Sequence, residues 1–194
     1  TTVAWQWSAG GATPSKTYRV VVVSDSGNKY RFRNSGNTAT FAQSAVTLDL
    51  QEGGTYTFDV SDSSVSSHPF VIGTSANSNE YSTGVTYKLD GVTKTYSQYT
   101  SGVTTNGTPG QAGAYTQITV ASSAPTLYYY CTFHSGMGGQ INTNATFGSS
   151  NFNGSVQSLE SVNTTSKFSI VRYTGTGSEI TVGHDLGSVP KTMW

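Results

Sequence analysis

The chain has 194 residues, which allows one large domain or one domain with a partial second. Only 10% of them are charged and the formal net charge is zero, so neither a basic nucleic-acid surface nor an acidic tail is among the candidate functions. The single cysteine excludes an intrachain disulfide, and no apolar run approaches the roughly 20 residues that a membrane-spanning helix needs. With no signal peptide and no initiator Met, the expectation is a processed chain or a piece of a longer one.

Taken in chain order, the predicted elements are strands. Tyr18 to Val23 reads as a strand with both faces partly buried. Lys29-Tyr30-Arg31-Phe32-Arg33 alternates apolar and polar residues with period two, and Ser26-Gly27-Asn28 before it reads as a hairpin turn. Val46 to Leu50, Tyr56 to Val60 and Gln117 to Val120 alternate in the same way. Asp90-Gly91 lies between Val85–Leu89 and Val92–Tyr96 and predicts a second hairpin, whereas residues 107–113 are too rich in Gly and Pro for anything but loop. No window carries a helical period. Short alternating strands separated by turns predict an all-β, antiparallel sandwich.

The chemistry is concentrated in residues 128–139, Tyr-Tyr-Tyr-Cys-Thr-Phe-His-Ser-Gly-Met-Gly-Gly. Cys131, His134 and Met137 fall there as C-x2-H-x2-M, offering a thiolate, an imidazole and a thioether on one short loop. Such soft donors suit copper rather than magnesium or calcium. His68, in Ser-Ser-His-Pro-Phe, is the candidate for a second imidazole. Alternation along the preceding strand puts Leu127, Tyr129, Cys131 and Phe133 on one face and Tyr128 and Tyr130 on the other. With Leu127 turned to the core, Cys131 points inward at the strand's end. The competing readings are a small buried cysteine, a His-Pro turn at His68, a Met137 that only packs, and a site that takes zinc or stays empty. His184, in Val-Gly-His-Asp-Leu-Gly, reads as structural.

On these residues the chain resembles the cupredoxins, the blue-copper family, and its short Cys-x2-His-x2-Met loop is most similar to the amicyanin version. The resemblance implies a cupredoxin-like sandwich over residues 17–147. It also implies a copper site with Cys131 as thiolate, His68 and His134 as imidazoles and Met137 as weak axial ligand. Two departures matter: residues 73–113, with the hairpin around Asp90-Gly91, exceed a minimal cupredoxin, and the residue after the first histidine differs. The family usually has Asn after the first histidine, with a backbone N–H that hydrogen-bonds the cysteine sulfur; here Pro69 follows His68 and has no N–H. One donor to the thiolate is therefore expected to be missing, which should lower the reduction potential.

Both ends of the chain resemble a second family, a module of tail-fibre-like structural proteins of marine phages. The segments that carry this are Trp-Gln-Trp-Ser-Ala-Gly-Gly (5–11), Phe-Ser-Ile-Val-Arg-Tyr-Thr-Gly-Thr-Gly (168–177) and Val-Gly-His-Asp-Leu-Gly-Ser-Val-Pro-Lys (182–191). This second resemblance implies fibre-module strands at 1–16 and 148–194 with the sandwich inserted between them. The expected function is structural or adhesive, in a phage tail fibre or similar surface filament. The protein would be virion-borne or extracellular, homo-oligomeric with a trimer favoured or part of a longer fibre, and facing a host-surface receptor. The alternative is a secreted type 1 copper electron-transfer or copper-carrier protein. No nucleophile elbow, phosphate loop or Ser-His-Asp set points to an enzyme.

Overall fold

A computed structural model of the chain describes residues 12–74, 101–144 and 147–193, together with the backbone of two strands at 85–89 and 92–96. In chain order the strands are β1 Ser15–Ser24, β2 Asn28–Asn34, β3 Leu48–Gln51, β4 Thr55–Asp59, β5 Phe70–Gly73, β6 Val85–Leu89 and β7 Val92–Tyr96. They continue as β8 Val103–Asn106, β9 Tyr115–Thr119, β10 Leu127–Cys131, β11 Gly139–Asn144, β12 Ser149–Asn151, β13 Ser158–Asn163 and β14 Phe168–Tyr173. Among the described residues the only helical element is a 3-10 turn at Ser63–Val65, and no helix is long and apolar enough to cross a membrane.

The chain is all-β and sandwich-like, as the alternating segments require. One sheet runs β2-β1-β4-β9-β8 and the other β3-β11-β10-β5. The pairing is mixed: β1 with β4 and β11 with β3 are parallel, and the remaining neighbours in these two sheets are antiparallel. Each parallel pair is joined by a crossover through the opposite sheet, a connection that local alternation cannot reveal. The β1–β2 turn is made by Ser26 and Gly27 at φ 53° and 104°, and β6 and β7 pair antiparallel with Leu89 opposite Val92.

Alternation becomes burial as expected. Tyr30 and Phe32 of β2, Leu48 and Leu50 of β3, and Tyr56 and Phe58 of β4 are all fully enclosed between the sheets. The core is aromatic: Phe58 and Phe70 lie 4.7 Å apart between centroids, and Phe32 meets Tyr129 edge-on at 5.0 Å. Offset and edge-to-face geometries of this kind stabilise a core beyond the area they bury.

β12, β13 and β14 form their own three-stranded sheet, which shares no strand pairing with either sandwich sheet. β12 nevertheless seals the sandwich, although its sequence is Ser-Ser-Asn. Tyr18 donates from its hydroxyl to the Ser150 carbonyl at 2.7 Å, Tyr56 shares a 2.7 Å hydroxyl–hydroxyl bond with Ser149, and the Asp49 N–H donates to Ser150 Oγ at 2.9 Å. Satisfied in this way, polar residues tolerate complete burial. The expected contact of this sheet with Trp5–Trp7 falls outside the described residues.

Candidate metal centre

Strand register assembles the centre. β5 and β10 run antiparallel with Phe70 opposite Cys131, so the residues just before β5 lie alongside the loop that follows β10. Before β5, Asp62 caps the 3-10 turn by accepting the Ser64 N–H at 3.0 Å. The His68 N–H then donates to the Val65 carbonyl at 2.8 Å, which turns the imidazole towards Cys131. After β10 the loop must come back tightly to begin β11. Gly138 permits this, because a Cβ there would collide with the Tyr129 carbonyl.

His68, Cys131 and His134 converge, each with one potential ligand atom within 4.8 Å of the others. The two Nδ1 atoms are 3.1 Å apart, and Cys131 Sγ lies 3.6 Å from Nδ1 of His134 and 3.9 Å from Nδ1 of His68. Donors bound at about 2.0–2.3 Å to one ion, at angles between tetrahedral and trigonal, stand roughly 3.3–3.8 Å apart. The triangle meets that separation to within a few tenths of an ångström, so these side chains fit a metal ion of copper or zinc size. Cys131 is 2% exposed, His68 9%, and His134 lies at the surface. The site is therefore buried on the sulfur side and reachable on the His134 side.

Burial dominates the electrostatics of Cys131 and His68. Burial pushes the Cys131 thiol up, opposed by hydrogen bonds from the Phe133 and His134 N–H groups and from the Tyr30 hydroxyl. Burial and the neighbouring His134 hold the His68 imidazole below its ordinary range. A thiolate forms here only with a compensating charge, which a bound cation supplies.

Three of the four expected ligands are thus brought into one group. Met137 is buried at 1% in the same core cluster as Cys131, and its carbonyl accepts the Tyr30 N–H at 2.9 Å. His184 stands apart, its Nδ1 accepting the Leu186 N–H at 3.2 Å, in keeping with a structural role. Phe133 differs from expectation. The strand ends at Cys131, and the loop turns Phe133 outward to 41% exposure beside His134.

Two residues of the site are absent from the motif. Asn28 Nδ2 lies 3.5 Å from His68 Nε2, and the Tyr30 hydroxyl donates to the His68 carbonyl at 2.7 Å. Both belong to β2, about a hundred residues before the loop, and only the packing of one sheet on the other brings them in. The alternation that puts Asn28 and Tyr30 on one face of β2 is visible in sequence; what that face meets is not.

Residues 142–194 match a family described only as a domain of unknown function (DUF7483), from the second half of β11 onwards. No curated protein and no solved structure matches the chain.

Proposed function

We propose that this chain is a structural module whose β-sandwich carries a copper-binding centre formed by His68, Cys131 and His134, with Met137 as the axial group. The observation that carries the reading is the convergence of one thiol and two imidazole nitrogens, 3.1–3.9 Å apart, at one end of the sandwich. Copper is favoured over zinc by the thioether that follows on the same loop, since a weak fourth sulfur ligand is a copper preference. When bound, the ion supplies one-electron chemistry or simply a cross-link. The chain's own part is to keep the thiol dry, present two imidazoles at fixed separation and leave His134 accessible.

The test is direct. Cu(II) added to the full chain should give an intense visible thiolate-to-copper absorption. Cys131→Ser should abolish it and His68→Ala should weaken it. Identical copper spectra for the wild type and Cys131→Ser would remove Cys131 from the ligand set.

We further propose that the host of this centre is a surface filament of tail-fibre type, assembled from several copies and lying on a virion or outside a cell. Support comes from β14, which has a partner on one side only among the described strands and exposes Ile170 at 37% and Tyr173 at 52%. An edge of this kind is a template for strand pairing with another chain. The second reading, a free copper electron-transfer or carrier protein, is favoured by the exposed pair Phe133 and His134, which puts an aromatic ring beside the ligand that faces solvent. Sedimentation velocity at micromolar concentration separates the two. A trimer is the expected species, and a persistent monomer would move the assignment to the free carrier.

A further inference from the structure

One short run of β2 touches both sides of the centre, the His68 turn and the loop that follows β10. Asn28 reaches the far nitrogen of the His68 ring, and the Lys29 ammonium donates to the Gly136 carbonyl at 2.7 Å. The Tyr30 N–H holds the Met137 carbonyl at 2.9 Å, and the Tyr30 hydroxyl meets both the His68 carbonyl and the Cys131 sulfur. Tyr30 is fully buried, and its ring is fixed edge-on against Phe70 at 5.2 Å between centroids. Its hydroxyl is therefore aimed rather than free to wander.

We infer that Tyr30 is the positioning and tuning residue of the centre, its hydroxyl supplying the thiolate hydrogen bond that Pro69 cannot. The inference rests on the copper-type reading of His68, Cys131 and His134. Pro69 has no N–H to offer the sulfur. The backbone donors that remain are the N–H groups of Phe133, at 3.4 Å from Sγ, and of His134. A tyrosine hydroxyl carries one proton, and here two acceptors compete for it. While Cys131 is a thiol, the His68 carbonyl at 2.7 Å takes that proton. Once the sulfur is a metal-bound thiolate it is the charged acceptor, and hydrogen bonds to charged acceptors are roughly twice as strong as neutral ones. The hydroxyl then turns to sulfur. Such a bond withdraws density from the thiolate and favours the reduced ion, because hydrogen bonding around the cysteine sulfur sets the potential of centres of this kind.

The experiment compares copper-loaded wild type, Tyr30→Phe and Tyr56→Phe of the full chain. Tyr56 is an equally buried tyrosine whose hydroxyl bonds Ser149 and receives the Gln51 N–H, away from the metal centre. Tyr30→Phe should bind Cu(II) with its charge-transfer band shifted to lower energy and its reduction potential lowered. Tyr56→Phe should leave both where the wild type has them. Replacing Tyr30 by 3-fluorotyrosine, which keeps the shape and donates more strongly, should move band and potential the opposite way, and it serves equally if Tyr30→Phe does not fold. A wild-type band and potential retained in the Tyr30 variant that folds, or matching shifts in Tyr56→Phe, would overturn the inference while leaving the copper reading intact. A wild-type protein with no thiolate band at all would remove both.

Discussion

Phe152→Ala should cost about 3–5 kcal/mol of folding stability, the range for emptying a fully packed aromatic site. Phe152 follows β12 directly and is 1% exposed. It reaches out of the C-terminal sheet into the sandwich, stacking on Phe32 at 5.4 Å and meeting Tyr18 edge-on at 5.3 Å and Phe41 at 5.0 Å. Removing it opens a cavity between elements that share no strand pairing, so nothing in the hydrogen-bond ladders closes the gap. Stability is a small difference between large terms, and a loss of this size is a large fraction of it. Because the two parts share this ring, the variant should still unfold in one transition, at lower denaturant concentration, when followed by far-ultraviolet circular dichroism and by the near-ultraviolet signal of the buried tyrosines. Two separated transitions would mean that the C-terminal sheet folds independently of the sandwich.

The same residue shows where sequence reading stops. β2, β3, β4 and β9 were legible because each has one face in the core and one in water, and that asymmetry is written as period two. β5 is buried on both faces, so Phe-Val-Ile-Gly carries no alternation. β12 is polar yet 0–2% exposed, and it is allowed there by tyrosine hydroxyls from β1 and β4, which no local pattern records. At the centre the distinction is equally physical. Cys131, His134 and Met137 are close in sequence because one tight loop presents them, and their spacing is legible. His68 is far from that loop in sequence, and it stands out only because the soft-ligand set calls for a second imidazole; the β5–β10 register explains why it lies there. Asn28 and Tyr30 come from the opposite sheet, and contacts across a sandwich leave no trace in spacing.

The largest pH effect should come from a buried charge cluster outside the metal centre. Lys16 of β1 is ion-paired with both Glu160 of β13 and Asp185, at 3.1 Å for the latter. Asn151 donates to the second Glu160 oxygen, and Asn153 donates to Asp185 at 2.6 Å. All but Lys16 lie within the stretch that matches the domain of unknown function, so the cluster ties that stretch to the first strand of the sandwich. One ammonium balances one carboxylate, so the second carboxyl holds its proton to a higher pH than usual. Burial, with Asp185 beside it, pushes Glu160 up to about 7 from an ordinary value of 4.5 against the pull of Lys16. Burial also acts to raise Asp185, but the hydrogen bond from Glu160 and the charge of Lys16 outweigh it and bring Asp185 to about 2. The signs then differ. Glu160 binds its proton more tightly folded than unfolded, so its contribution is complete below about 4.5, declines as pH rises and is gone above about 7. Asp185 contributes above its ordinary 3.8 and loses that as pH falls towards 2. At about 1.4 kcal/mol per unit, the Glu160 shift bounds the loss between pH 4.5 and 8 at roughly 3 kcal/mol. For a chain of this size that corresponds to roughly 6–12 °C in melting temperature. Glu160→Gln keeps the shape and the donor of the protonated acid and cannot ionise. It should flatten the dependence between pH 5 and 8 and melt above the wild type at pH 8. Equal slopes in the two proteins would show that another group governs the transition and that Glu160 is ionised throughout, paired with Lys16.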